Sequence, residues 1–553
     1  MTATHDYDTI VVGSGFGGSF AAYRLVCGGQ RLLLLERGKP YPPGEFARTP
    51  EQMRRNLWDP SEGLHGLFDV WSFRGLEALV SSGLGGGSLI YANVLLRMPA
   101  EWFTRADAEN GYRPWPVSRA DLEPHYDHVE RILAPQRYPI GLPPYSETRK
   151  AQALAAAARR MPGARCESPP LAVSFANPGE TPWPGVPLHE AVPNLHGRPR
   201  VTCRLCGECD IGCNDGSKNT LDLTCLSAAV ARGLEIRTRS EVRELRPLPG
   251  GGFEVRYVEH HERAEGHRTY TAGLRLERVT ARRVVLGAGS IGSTYLLLRN
   301  RERWLEKLDP ALLGTRFNGN GDLLGFVRPR AANLPRLDPS CGPVIITCVR
   351  GAHDGHAYCL QDGGIPEGAN WIGQVAAMPM RPWRVLKLAR RYLSGLLGFT
   401  HDSNLSAELA TLFGASPLPL LGMGRETPNG RMSLHGKDLR ATWSLSRTRP
   451  FYRALTAVMA DAAAQMGADF DPNPLSYLRR VITVHPLGGC PMGRDEREGV
   501  VDAFGRCFAY PDLYVVDGAA MPGPVGVNPA LTIAAYADRC AEKMLHTAAT
   551  PEP

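Results

Sequence analysis

Y-D-T-I-V-V-G-S-G-F-G-G-S-F-A-A-Y-R-L-V-C-G-G-Q-R-L-L-L-L-E, Tyr7 to Glu36, decides the fold. Tyr7 to Val12 reads as a buried strand, Ser19 to Cys27 as an apolar helix and Leu32 to Glu36 as a second strand, a compact β-α-β unit. Between them stands G-S-G-F-G-G. Gly13 allows the tight turn, Gly15 lets backbone approach a pyrophosphate at the helix N-terminus, and Gly18 permits close packing of helix on strand. Glu36 ends the second strand, where a carboxylate can bind the ribose hydroxyls of an adenine dinucleotide and would repel the extra phosphate of NADP. A second run, Gly287, Gly289 and Gly292, follows a strand at Arg283 to Leu286 and precedes a helix at Ser293 to Arg299. The next segment, Arg301 to Leu313, is charged and helical in pattern, with no strand ending in an acid. The second run is therefore read as a close-packed turn serving the first cofactor.

Working outward, 553 residues predict two domains or one large elaborated domain. With 43% hydrophobic and 22% charged residues the chain is globular, which excludes a disordered or fibrous protein. Glycine is the outlier at 60 residues, and with 46 prolines it predicts many loops and close backbone approaches. The net charge of +7 is spread along the chain, so no nucleic-acid partner is implied. Met1 to Asp8 lacks an apolar core and no run of 18 apolar residues occurs, so neither a signal peptide nor a membrane span is expected. A cytoplasmic location is the default. Residues 161–200 carry nine prolines and read as a long loop or lid. The interval Phe317 to Val481 lacks nucleotide motifs, has a strand-like run at Val344 to Cys348 and a helix at Phe451 to Met466, and is the natural substrate domain. An α/β pattern resumes at His485 to Met544, with a strand at Leu513 to Asp517 and a helix at Pro529 to Met544.

Three further segments carry a family resemblance: S-G-L-G-G-G-S-L-I-Y-A-N-V (Ser82 to Val94), H-P-L-G-G-C-P-M-G (His485 to Gly493) and L-Y-V-V-D-G-A-A-M-P-G-P-V-G-V-N-P-A-L-T (Leu513 to Thr532). Their order and spacing resemble those of the glucose-methanol-choline (GMC) flavin oxidoreductases. D-L-E-P-H-Y-D (Asp121 to Asp127) and a helix over T-L-D-L-T-C-L (Thr220 to Leu226) extend the match. The Gly-Gly-Gly-Ser run looks like the cholesterol-oxidase-like branch. The implied fold is α/β: a discontinuous doubly wound FAD-binding domain with an α+β substrate-binding domain. On this division residues 1–316 and 481–553 form the FAD-binding domain and 317–480 the substrate-binding domain.

The resemblance implies FAD. Gly87, Tyr91, Asn93 and Val94 become flavin neighbours, Asp517 and Gly518 meet the ribityl-pyrophosphate region, Val242 contacts adenine, and Pro529 opens a helix whose positive end faces the flavin pyrimidine. His485 and Asn528 correspond to the family's catalytic pair. Oxidising an alcohol needs loss of the hydroxyl proton and hydride transfer to flavin N5, with His485 as base and Asn528 orienting the oxygen. The electron acceptor is oxygen or a redox protein. Flavin-dependent lyases, a light-driven decarboxylase and non-catalytic FAD electron-transfer subunits are the alternatives on a similar scaffold. Sterol oxidases that also isomerise carry an acid in the substrate domain; Asp362 and Glu367 are the candidates, and both read as ordinary loop acids.

Two stretches stand apart. Cys203, Cys206, Cys209 and Cys213 have the C-x2-C-x2-C-x3-C spacing of a ferredoxin segment, although Asn214 stands where proline is usual. An iron-sulfur cluster, a structural zinc, or free or paired thiols are the readings of this 203–213 loop. Arg381 to Phe399 has five basic residues on a helically spaced apolar stripe; it could rest on an anionic membrane surface, though packing on its own domain is the commoner use of such a helix.

Overall fold

Leu32–Leu35 is buried along its whole length, as the interior of a parallel sheet demands. In the computed structural model, which describes residues 5–107, 111–330, 337–366, 401–402, 418–473, 476 and 479–549, this strand pairs in parallel with Tyr7–Val12 on one side and Glu235–Arg237 on the other. Tyr7–Val12 in turn pairs in parallel with the second half of Glu277–Leu286, and Leu513–Val515 lies beyond it. The first half of Glu277–Leu286 instead pairs antiparallel with Phe253–Glu259, which in turn pairs antiparallel with Ser240–Pro247. The sheet thus collects strands from the two ends and the middle of the chain.

Helix Phe16–Cys27 packs against the C-terminal helix Ala530–Ala549, which also receives helix Arg119–Leu133. Asp538, fully buried, ties this layer together by accepting from His125 Nδ1 at 2.7 Å and His128 Nδ1 at 2.8 Å.

A second, fully antiparallel sheet runs in the order Arg165–Glu167, Cys348–His353, His356–Asp362, Leu418–Gly424, Leu323–Pro329, Ala468–Pro472. Its edge strand Arg165–Glu167 comes from the Pro-rich stretch. Helix Leu445–Gln465 covers one face. A smaller four-stranded sheet, in the order His401–Asp402, Phe68–Phe73, Leu76–Ser81, Val481–Thr483, lies next to the cavity between the two.

Some elements differ from the sequence reading. Val344 to Thr347 is not a strand, and Cys348 opens Cys348–His353. The reason is capture by side chains: Asp362 Oδ1 accepts from Ile346 N and Thr347 N, and Lys150 Nζ donates to Pro343 O and Val344 O. Thr220 to Thr224 forms turns, because the N–H of Leu221 goes to Ser88 Oγ; the helix is Cys225–Val230. Helix Gly289–Arg301 ends where three N–H groups, of Arg303, Trp304 and Leu305, fold back on Asn300 O, so residues 302–313 are turns rather than a helix. Arg381 to Phe399 and Glu367 lie outside the described residues.

Gly18 shows how tightly the core is drawn. A Cβ there would stand 2.0 Å from Gly13 O, and one on Gly287 would stand 2.5 Å from Gly18 Cα. Gly18→Ala is expected to cost about 1–3 kcal/mol through backbone overpacking, read as a lower Tm together with a lower flavin-to-protein absorbance ratio.

Candidate active site

A cavity of about 1010 Å³ runs between the sheets from Glu36 to His485. At its first end, helix Phe16–Cys27 starts without a side-chain cap, which leaves its first N–H groups for an anion. Glu36 is only 6% exposed. Its Oε2 accepts from Ser14 N at 2.9 Å and Ser14 Oγ at 2.6 Å, and its Oε1 from Gly38 N at 2.8 Å. Ser14 Oγ also accepts from Gly85 N at 2.9 Å, pinning the glycine loop to the turn. A Cβ on Gly86 would lie 2.6 Å from Gly15 Cα, whereas one on Gly87 would meet nothing within 4 Å. The loop therefore presents bare backbone to the cavity.

Asp517 joins the second glycine run to the C-terminal segment. Its Oδ2 accepts from Gly289 N at 2.8 Å and Ser293 Oγ at 2.5 Å, and its Oδ1 from Ala519 N at 2.8 Å. Burial pushes this carboxyl up to about 6. Gly13, Gly15, Glu36, Gly87, Tyr91, Val94, Val242, Asp517, Gly518, Asn528 and Pro529 all line the one cavity, as do Gly287, Gly289 and Gly292. Gly18 is packed behind it against Gly13. Asn93 is also outside the lining; it is fully buried at φ 68°, and its side-chain amide has no hydrogen-bond partner.

At the far end, His485 Nδ1 sits 2.9 Å from Asp322 Oδ1. Asp322 is 1% exposed, and its Oδ2 accepts from Thr483 Oγ1 and Val484 N, both at 2.9 Å. A proton on Nδ1 donated to this carboxylate leaves the Nε2 lone pair as the acceptor. Asn528 sits on the wall with His485 and exchanges two hydrogen bonds with Gln361: Gln361 Nε2 to Asn528 Oδ1 at 2.7 Å and Asn528 Nδ2 to Gln361 Oε1 at 3.2 Å. Around them Leu324, Phe326, Pro419, Leu421, Ile482 and Val484 form an apolar wall.

Asp322 and Gln361 were not singled out from the sequence. The run N-G-N-G-D, Asn318 to Asp322, was the available signal, since such a run marks an irregular backbone. Asn320 indeed has φ 59° and clamps the segment before Asn528, donating to Val527 O at 3.0 Å and accepting from Gly526 N at 2.8 Å. Glu426 supports the same loop: its Oε1 accepts from Gly319 N at 2.6 Å and Gly321 N at 3.2 Å, and its Oε2 from Tyr452 Oη at 3.3 Å. Burial pushes its carboxyl up to about 7, against those hydrogen bonds. Asp362 is buried behind the wall, held by two backbone N–H groups with Lys150 at 4.0 Å, and is not part of the lining.

The four loop cysteines line one small separate cavity with Lys218. Burial, with the neighbouring cysteines, pushes the Cys203 thiol well up and the Cys206 thiol up to about 12. Lys218 Nζ donates to Leu89 O and Cys209 O. Among the described residues no group of three or more His, Cys, Asp or Glu is arranged to hold a metal. The iron-sulfur expectation thus gains no support. Nor is any described helix long and apolar enough to cross a membrane.

Comparison with known proteins matches residues 7–300 and 431–537 to the N- and C-terminal models of the GMC oxidoreductases. The chain is 30% identical to the cholesterol oxidase of Mycobacterium tuberculosis, over 97% of this chain and 90% of that protein. To the cholesterol oxidase of Acinetobacter baumannii it is 27% identical, over 97% and 94%. The crystal structure of pyridoxine 4-oxidase from Mesorbium loti superposes with a TM-score of 0.56 at 19% identity, covering 98% of this chain and 99% of that one. The chain belongs to the GMC oxidoreductase family. It is an FAD-dependent oxidoreductase acting on alcohol donors.

The residues fit that cofactor. The uncapped helix start and the side-chain-free surface of Gly87 are what a bound dinucleotide with a planar ring would use.

In Asp322→Asn the amide oxygen must face the donors Thr483 Oγ1 and Val484 N, which turns its NH2 toward His485 Nδ1 and selects the wrong tautomer. Flavin reduction by substrate should slow about 100-fold at unchanged FAD content, measured by anaerobic stopped flow. Glu426, with its folded pKa raised from 4.5 to about 7, contributes stability that is full below about pH 4.5 and is lost as pH rises through about 7. Glu426→Gln should flatten the decline of Tm across that window; an unchanged slope would count against the assignment.

Proposed function

We propose that the enzyme oxidises a hydroxyl of a bulky, largely apolar, sterol-like alcohol to the carbonyl. The observation that carries this reading is that His485 and Asn528 line one cavity together with the apolar side chains Leu324, Phe326, Pro419, Leu421, Ile482 and Val484.

Bound FAD supplies the hydride acceptor, N5. The alcohol proton passes to His485 Nε2, whose other nitrogen is held by Asp322. The imidazolium so formed is stabilised by that buried carboxylate. An N–H of Asn528 donates to the alcohol oxygen and fixes which face of the carbinol carbon presents its hydrogen. The apolar wall excludes water and takes the hydrocarbon body of the substrate, at about 25 cal/mol per Å² buried. Within this reading Gly13 and Gly15 clear the pyrophosphate path, Glu36 receives the ribose hydroxyls and Val242 lies along the adenine. Gly87, Tyr91, Asn93 and Val94 neighbour the flavin, with Asp517, Gly518 and Pro529 on its ribityl and pyrimidine sides. Residues 1–316 and 481–553 serve the cofactor, and 317–480 serve the substrate. Oxygen or a redox protein takes the electrons afterwards.

Anaerobic bleaching of the flavin by cholesterol, a long-chain primary alcohol and an aminoglycoside tests the substrate class. Cholesterol is expected to reduce it fastest; fastest reduction by the aminoglycoside would overturn the apolar reading. His485→Ala should retain FAD and lose about 10²–10⁴ in kcat, and near-normal turnover would remove His485 from the mechanism.

A further inference from the structure

Gln361 is fully buried on strand His356–Asp362, clamped between two neighbours of an antiparallel sheet: it registers with Cys348 on one side and Leu421 on the other. Asn528 comes from the other end of the chain, in the turn just before helix Ala530–Ala549. An amide side chain has one oxygen and two N–H donors, and either end can face a given direction unless its surroundings choose. Here they choose. Gln361 Nε2 donates to Asn528 Oδ1 at 2.7 Å and also reaches Cys359 Sγ at 3.7 Å, so both of its hydrogens are directed. Its Oε1 accepts one hydrogen of Asn528 Nδ2 at 3.2 Å. Asn528 is left with one N–H for the cavity it lines.

We propose that Gln361 is a positioning residue that sets the orientation of the Asn528 amide, so that Asn528 meets the substrate oxygen as a donor. This rests on the reading that Asn528 orients the alcohol. A neutral amide serves where a carboxylate would fail: an ionised side chain at 361 has no hydrogen for Asn528 Oδ1 and would turn the amide round. The pair itself carries no titratable group. The antiparallel sheet and the turn leading into it therefore supply a partner to each of the two groups on the C-terminal segment, Gln361 to Asn528 and Asp322 to His485.

Gln361→Glu and Gln361→Leu separate positioning from simple packing. Protonated glutamic acid keeps one hydrogen for Asn528 Oδ1 and an acceptor oxygen for Asn528 Nδ2, losing only the contact to Cys359 Sγ; the ionised form has no hydrogen to give. The ratio of kcat in Gln361→Glu to kcat in wild type should be close to 1 at low pH and should fall about 10- to 100-fold as pH rises. The limb should lie above the ordinary glutamate range because the site is buried. Gln361→Leu should show a similar loss in kcat at every pH, with KM moved far less. Cholesterol, dodecanol and paromamine are the probe alcohols. A flat ratio in Gln361→Glu, or wild-type kcat in Gln361→Leu, overturns the proposal. A thermal double-mutant cycle of Gln361→Leu with Asn528→Ala needs no substrate: non-additive Tm shifts support the pairing and additive shifts overturn it. If none of the probe alcohols bleaches the wild-type flavin, the substrate reading fails, and the cycle still decides the pairing.

Discussion

The structure depends on a place where backbone touches backbone. Gly13, Gly18 and Gly287 bring the turn after one strand, the helix that follows it and the turn after a second strand to within van der Waals distance, and Gly86 adds the loop that closes over them. At each of these four positions an added Cβ would lie closer than 3.0 Å to another segment's main chain. Such contact requires residues with no side chain, and Gly13 at φ 92° also needs the conformational freedom that glycine alone has. The parallel strands on either side can keep their register because nothing at this junction pushes them apart.

What glycine brings close, buried carboxylates hold. Glu36, Asp322, Asp362 and Asp517 each accept hydrogen bonds from backbone N–H groups of another segment or of their own turn. A carboxylate with several oriented donors can stay inside the protein, where an unpaired one would cost several kcal/mol. These four stitch together pieces that are far apart in the chain: residue 36 to 14, 322 to 484, 362 to 346 and 517 to 289. The same device thus serves the cofactor end and the reaction end.

The cofactor half was legible because its signals are local. Tyr7 to Glu36 contains its own strands, turn and acid, and the second glycine run lines the same cavity as the first. The reaction end was half legible. His485 and Asn528 stand in recognisable motifs, whereas their hydrogen-bond partners Asp322 and Gln361 lie 163 and 167 residues away, and no periodicity carries that information. Val344 to Cys348 has the composition of a strand, yet Asp362 and Lys150 claim its backbone groups. The four cysteines have ligand spacing and line one small cavity, yet among the described residues no group of three or more His, Cys, Asp or Glu is arranged to hold a metal.

Strand Leu323–Pro329 alternates. Leu324 and Phe326 face the cavity, while Gly325 lies against Phe470 and Met459 and Val327 belongs to the core beneath. Successive residues of a strand point to opposite faces. The two faces can therefore drift independently: changes at 324 and 326 reshape the chamber, and changes at 325 and 327 register in folding. The proposed reacting groups, His485 and Asn528, sit on neither face, since both belong to the C-terminal segment. A lineage built on this chain could exchange one alcohol for another by resizing two side chains, leaving both the chemistry and the scaffold untouched.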